Sequence, residues 1–197
     1  MLSVHPSVPA KSVAELIKLA KEKPGALNYG SGGSGTPPHL ATELFKQMAG
    51  VQMVHVPYKT IPAAITGLVG GQLQVMFTVG PAGLPQIKAG RIRGLAVSTA
   101  KRSAFAPELP TVAESGLPGY DVFGWNGVLA TGGTPRPVIE KLHALFITAM
   151  KDAETRKRMA DFGFEPIGNS PEEFGAFVKE DIARWAKLVK ETGAKVE

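Results

Sequence analysis

Cysteine is absent from all 197 residues. That excludes a disulfide framework, a thiolate metal site and a cysteine nucleophile. No apolar run approaches the roughly 20 residues that a helix needs to cross a bilayer. The opening Met1-Leu2-Ser3-Val4-His5-Pro6 lacks a basic stretch, an apolar core and a small-residue cleavage site, so no export signal is legible in it. Acid is missing from the middle: residues 44–107 contain no Asp or Glu but carry Lys46, Lys59, Lys88, Arg91, Arg93, Lys101 and Arg102. From residue 108 onward 14 acids face 11 bases, and the net charge of +5 therefore sits in the middle of the chain. A positive region raises the local concentration of anions; a solvated basic surface has the same composition. Aromatic residues are only 7% of the chain and do not interleave the basic positions, which argues against nucleic acid as a partner.

What is present is ordinary for a globular protein: 44% hydrophobic and 20% charged residues. Ser12-Val13-Ala14-Glu15 has the capping-box form and predicts a helix ending before Pro24. Residues 26–29 read as a short strand, 36–49 as a helix with proline in its first turn, and 51–56 as a strand. The rhythm repeats with a helix at 62–68, a strand at 73–79, a helix at 81–89 and a strand at 92–97. Strands and helices alternating through glycine-rich loops predict an α/β fold with a mostly parallel sheet. Residues 103–124 are rich in Pro, Gly and Ser, with a short helical piece expected at 111–115 and strand-like residues at 122–129. Helices are expected at 134–150 and 153–162. Ser170-Pro171-Glu172-Glu173 opens a last one with the stripe Phe174, Phe177, Val178, Ile182, Trp185 and Val189. The expected organisation is an α/β lobe at 5–123 followed by a helical section at 124–197.

The sharpest local feature is Tyr29-Gly30-Ser31-Gly32-Gly33-Ser34-Gly35-Thr36, between a predicted strand and a predicted helix. Glycine lets a ligand approach the backbone closely, and a helix N-terminus offers unpaired N–H groups and the positive end of a dipole. Ser31, Ser34 and Thr36 add hydroxyls, so a carboxylate is a natural guest; a tight turn without a ligand is the plainer alternative. Gly30, Gly32 and Gly35 also match the dinucleotide pattern, but residues 50–58 lack the acid that would hold a ribose. Gly35-Thr36-Pro37 lacks the lysine of a P-loop, and Gly32-Gly33-Ser34-Gly35-Thr36 fails the nucleophile-elbow pattern at its last position. The loop after the next strand, Tyr58-Lys59-Thr60-Ile61-Pro62-Ala63, faces the same way in a parallel sheet and is a second ligand candidate. His39 either touches a ligand or caps the helix; His55 lies in a strand and His143 in a helix. No histidines have metal-ligand spacing, and the shortage of carboxylates near the glycine loop, Glu43 excepted, argues against acid–base catalysis. Neither a metal nor another cofactor is implied, and Trp125 and Trp185 read as core or lobe-contact residues.

Taken in order, several stretches resemble the tripartite tricarboxylate transporter receptor family, the Bug-type periplasmic solute-binding proteins. They include Leu27-Asn28-Tyr29-Gly30-Ser31-Gly32-Gly33, Thr36 with His39-Leu40, His55-Val56-Pro57-Tyr58-Lys59, Gly70-Gly71-Gln72 and Ile87-Lys88-Ala89-Gly90. Pro110-Thr111-Val112-Ala113-Glu114, Gly116-Leu117-Pro118-Gly119-Tyr120 and Gly132-Gly133-Thr134-Pro135 continue the series. The resemblance implies a periplasmic-binding-protein-like (type II-like) architecture of two lobes closing on a carboxylate. Residues 5–123 would be the second lobe and 124–197 the C-terminal return of a first lobe whose opening part, with its export signal, is missing. It further implies a periplasmic location, membrane transporter subunits as partners, no turnover, and ligand positions within Ser31 to Thr36 (Ser31, Gly32, Gly33, Ser34, Gly35, Thr36) and Tyr58 to Ala64 (Tyr58, Thr60 and Ala63 among them); His39 joins the candidates by its place in the helix after the glycine loop. Thr60 and Gln74 stand where the family usually has Gly and Asp, so the ligand's identity does not transfer. An incomplete first lobe would expose Phe174, Phe177 and Trp185, and implies a homo-oligomer or segment exchange. Two other readings remain: a fragment that binds nothing, and an enzyme holding a nucleotide or phosphate ester on the glycine loop.

Overall fold

The computed structural model describes residues 1–192, which divide into two compact units, Met1–Gly124 together with the chain from Leu188, and Trp125–Lys187. In the first unit the elements run β1 (Leu2–Val4), α1 (Val13–Glu22), β2 (Asn28–Ser31), α2 (Pro37–Ala49), β3 (Val54–Pro57), α3 (Ile61–Val69), β4 (Val75–Phe77), α4 (Gly80–Lys88) and β5 (Arg93–Ala96). The sheet has the order β3-β2-β4-β1-β5. β2 is parallel to β3 and β4, whereas β1 is antiparallel to both β4 and β5. Four strands therefore run one way and one runs against them. The α/β class and the mostly parallel sheet agree with the sequence, but β1 was not expected. Three residues before a proline carry no readable alternation, and Leu2, Ser3 and Val4 become a strand only because β4 and β5 offer ladders on both sides.

Helices cover both faces of the sheet. Met76 packs with Ala64, Ile65 and Leu68 of α3 and with Leu73 and Ile92, all buried. Its neighbour Phe77 points to the opposite face. There it stacks on Tyr120 and meets the edge of Phe45 from α2. The Tyr120 hydroxyl donates to Ala41 O at 2.8 Å and so ties the loop after β5 to α2. Such double coverage explains why β4 is apolar throughout.

α1 starts as the sequence predicts: Ser12 accepts the N–H of Glu15 at 3.2 Å. Residues 111–115 are a turn instead of a helix. Thr111 and Glu114 exchange cap hydrogen bonds of 3.0 and 2.9 Å, but Gly116, Leu117 and Pro118 follow and no second turn can form. Residues 122–129 form no strand; Val128 and Leu129 are exposed, with no neighbouring strand to pair with among the described residues.

The second unit is helical: α5 (Arg136–Lys151), α6 (Ala153–Asp161) and α7 (Pro171–Thr192), whose last turns from Leu188 count with the first unit. Asp152 caps α6 by accepting the N–H of Thr155 at 2.8 Å. Ser170 and Glu173 complete a reciprocal capping box at 3.1 and 2.8 Å. Phe174 and Phe177, expected to be exposed, are half-buried because both meet the ring of Trp125, whose indole N–H donates to Asp181 at 2.8 Å. Trp185 is likewise half-exposed, with Arg184 over its ring. The apolar side chains that do face solvent are others, chiefly Leu129, Ile167, Val128, Ile182 and Phe162.

Candidate functional site

Parallel pairing of β2 with β3 brings two strand ends together, and the loops that follow them meet. Ser31 pairs with Pro57, and the Tyr58 N–H donates to Ser31 O at 3.0 Å. Gly32 then lies against the start of α3: a Cβ there would come within 2.9 Å of the Ile61 backbone nitrogen, so only glycine fits. Gly33 and Gly35 have φ of 118° and 77°, which lets the chain double back within five residues and enter α2. Between the two loops opens a pocket of about 410 Å³ lined by Gly32, Gly33, Ser34, Thr36, Pro57, Tyr58 and Lys59.

The three hydroxyls of the glycine loop have different tasks. Ser31 is fully buried; its hydroxyl donates to Gly33 O at 3.0 Å and accepts the Gly33 N–H at 3.1 Å. Thr36 also donates to Gly33 O, at 2.7 Å. Both side chains are spent on the turn. Ser34 is the third, and among the described residues its hydroxyl and its backbone N–H have no protein partner; nor has the N–H of Gly32. Those are the donors left for a guest. α2 and α3 both begin beside the pocket and neither has an acid in its first turn, so the positive ends of two helix dipoles are not neutralised there. The prolines Pro37 and Pro38 leave the start of α2 with fewer N–H groups than a helix normally offers.

Of the residues expected at the site, Gly32, Gly33, Ser34, Thr36 and Tyr58 line the pocket. Ser31, Gly35 and His39 lie beneath it. Thr60 and Ala63 meet each other: the Thr60 hydroxyl accepts the Ala63 N–H at 3.3 Å as the cap of α3. Pro57 and Lys59 complete the lining. Tyr58 is held in place from behind, since its hydroxyl donates to Gln72 Oε1 at 3.1 Å and a Cβ at Gly67 would strike its ring. Lys59 is exposed, and among the described residues it has no ion-pair partner. Gln74 caps the far end of β2: its side-chain oxygen accepts the Asn28 N–H at 3.0 Å.

Under the loop lies an arrangement that the sequence did not reveal. Tyr29, His55 and His39 stack in series, with centroids 4.8 Å apart for the first pair and 4.2 Å for the second. His55 Nε2 lies 2.7 Å from the Ser31 hydroxyl, and His39 Nδ1 accepts the Gly35 N–H at 3.1 Å. The Tyr29 hydroxyl donates to Glu43, which also pairs with Lys46 at 2.7 Å. Burial pushes His55 down to about 4, and the neighbouring His39 adds to the effect. Burial lowers His39 too, against the pull of Glu43. Burial, then the Glu43 hydrogen bond, raises Tyr29. The signal for this stack was the register: Tyr29 lies opposite His55 once β2 and β3 are paired. Among the described residues no group of three potential metal ligands occurs.

Another pocket, of about 500 Å³, lies among Pro6, Ser7, Val8, Pro9, Lys11, Glu15 and Arg93. Its one guanidinium is occupied, donating to Val8 O and Ala10 O at 3.1 Å each and to Pro6 O at 3.4 Å. It offers an anion less than the glycine-loop pocket does.

The family model of the tripartite tricarboxylate transporter family receptor matches residues 1–194. The protein BugT of Bordetella pertussis is 32% identical over the whole of this chain, which covers 60% of BugT. Among solved structures, R. palustris Rpa4515 with adipate is 39% identical, with a TM-score of 0.90 over 98% of this chain and 65% of that one. The periplasmic binding protein BugD is 30% identical, with a TM-score of 0.86 over 100% of this chain and 66% of its own. MatC from Rhodopseudomonas palustris with bound malate is 28% identical, with a TM-score of 0.83 over 96% and 65%. The chain therefore spans less than two thirds of each of these proteins.

Proposed function

We propose that this chain, which belongs to the tripartite tricarboxylate transporter receptor family, holds one carboxylate of a small organic acid in the pocket between the glycine loop and residues 57–59. One observation carries the reading: Ser34 places a hydroxyl and an N–H that have no protein partner among the described residues where two helix N-termini converge. The exposed ammonium of Lys59 adds attraction at the rim. The adipate and malate held by two similar proteins support a carboxylate as the guest. A di- or tricarboxylate, an amino acid or an aromatic acid meets the same donors. The protein's role is reception: it delivers the solute in the periplasm to membrane transporter subunits and transforms nothing. The fully buried Ser31, although paired with His55, has no access to a substrate.

The test is calorimetric titration with adipate, malate and a nucleotide, on the chain as it stands and on Ser34→Ala. Saturable binding of a carboxylate that Ser34→Ala weakens by roughly tenfold, the scale of a hydrogen bond to a charged group, supports the reading. Binding of the nucleotide alone would instead favour an enzyme that holds a phosphate on this loop. The apolar side chains of the second unit that face solvent favour a further reading, self-association; sedimentation of a single monomeric species would remove it.

A further inference from the structure

Thr36 holds the turn from within the pocket lining, and a second set of contacts holds it from the layer beneath. Gly35 must keep a positive φ for the chain to turn into α2, and the acceptor for its N–H is His39 Nδ1. Gly33 is held at the other side of the turn by the Ser31 hydroxyl, which His55 Nε2 contacts from below. The two imidazoles stack on each other, so the two anchors are one packed unit. The Ser31 hydroxyl lies 3.0 Å from Gly33 O and 2.7 Å from His55 Nε2, and which partner donates in the second contact depends on the His55 tautomer. His39 accepts at Nδ1 and therefore carries its proton on Nε2.

We infer that His39 is a positioning residue for the anion pocket: its bare Nδ1 fixes Gly35, and, stacked on His55, it holds the Ser31–Gly33 turn from beneath only while it is uncharged. A proton on Nδ1 sets N–H against N–H at Gly35 and places a charge 4.2 Å from the centre of His55. The groups that face the stack are Glu43 and Lys46 from α2 and Tyr29 from β2. Glu43 takes both Lys46 and the Tyr29 hydroxyl on one oxygen, and its attraction for a charged His39 is smaller than the burial that opposes that charge. Acid thus costs the loop its shape, and this outweighs the direct attraction between a charged imidazole and a bound anion. The inference rests on the pocket being the carboxylate site.

The experiment has two arms. In the first, amide spectra of the ligand-free protein are followed as the pH falls from about 7.5 to about 4, through and below the ordinary histidine range, because burial lowers both imidazoles. The Gly33 and Gly35 amides are expected to shift together with the His39 ring in the wild type, and to stay still in His39→Asn, whose side-chain oxygen keeps the acceptor without titrating. In the second, adipate is titrated into the wild type, His39→Asn and His39→Leu. His39→Leu is expected to lose roughly tenfold in affinity, while His39→Asn stays within about threefold, as for loss and retention of one buried hydrogen bond. The wild type is expected to weaken more steeply than His39→Asn as the pH falls, the slope common to both being the protonation of adipate itself. Glycine amides that ignore the His39 titration, a folded His39→Leu with wild-type affinity, or adipate binding that strengthens in acid would each overturn the inference. If adipate binds none of the three proteins, the carboxylate reading fails and the amide arm alone decides whether His39 holds the loop. If His39→Leu does not fold, His39→Asn against the wild type decides.

Discussion

The two units of the molecule are built on different terms. The first has a sheet covered on both faces, with Tyr29, Phe45, Leu68, Met76 and Tyr120 fully buried. The second, Trp125–Lys187, contains no buried residue among those described: α6 and α7 have side-chain caps and its helices carry i,i+4 ion pairs and apolar stripes, but among the described residues nothing covers the stripes completely. Local signals are enough to start and stop a helix. They do not supply the burial that gives most helices their stability. The candidate pocket lies in the unit that has a core, and it depends on that core: the strand ends can meet only because β2, β3 and β4 are held in register.

Substitutions can break this contrast. The largest effect is expected at Leu68→Ala, which empties the centre of the α3 face and should destabilise the protein by about 2–5 kcal/mol in urea unfolding. Leu145→Ala, at an exposed apolar position of the second unit, should change stability by less than about 0.5 kcal/mol in the same assay. A comparable loss at both positions would show that the second unit has a core of its own. Smaller effects sharpen the comparison. Ser170→Ala removes the cap of α7 and should cost about 1 kcal/mol, read as a loss of helical signal before the main transition. Tyr120→Phe leaves Ala41 O without its buried donor and should cost about 1 kcal/mol in the first unit.

The pH dependence of stability follows from the imidazole stack. His55 and His39 bind a proton more weakly folded than unfolded. The unfolded chain therefore takes up more protons as the pH falls below the ordinary histidine value of about 6.5, and stability drops from there toward about pH 4. Above that window the contribution is complete. Urea midpoints measured across it should fall with pH in the wild type and fall less in His55→Gln, which keeps a polar contact to Ser31 but does not titrate. Equal slopes in the two proteins would mean that His55 is not held neutral. This is the smallest effect expected, because carboxylates such as Glu173 and Asp152, lowered by their cap hydrogen bonds, begin to lose their own contribution at the acid end.

Much of the fold was legible because its signals are local. The capping residues Ser12 and Ser170, the prolines at the helix starts and the alternation of strands with helices all rest on contacts within a few residues. The glycine loop was legible for the same reason: a strand, four glycines and a helix start define a turn with exposed donors. Which hydroxyl of that loop is available was not legible. Ser31, Ser34 and Thr36 look equivalent in sequence, and only the turn assigns two of them to Gly33 and leaves the third. Thr60 and Ala63 were similarly indistinguishable from lining residues until α3 took both for its cap.

The sequence by itself determined the class of the protein, an α/β chain of the tripartite tricarboxylate transporter receptor family with a glycine-rich turn between a strand and a helix. Tertiary structure alone decided that Leu2–Val4 is a strand between β4 and β5, and that His39 and His55, 16 positions apart, stack under the loop. The physical reason is the same in both cases. A three-residue strand, and a pair of imidazoles from different elements, acquire their roles from the register of the sheet, which is set by packing across distances that no local pattern records.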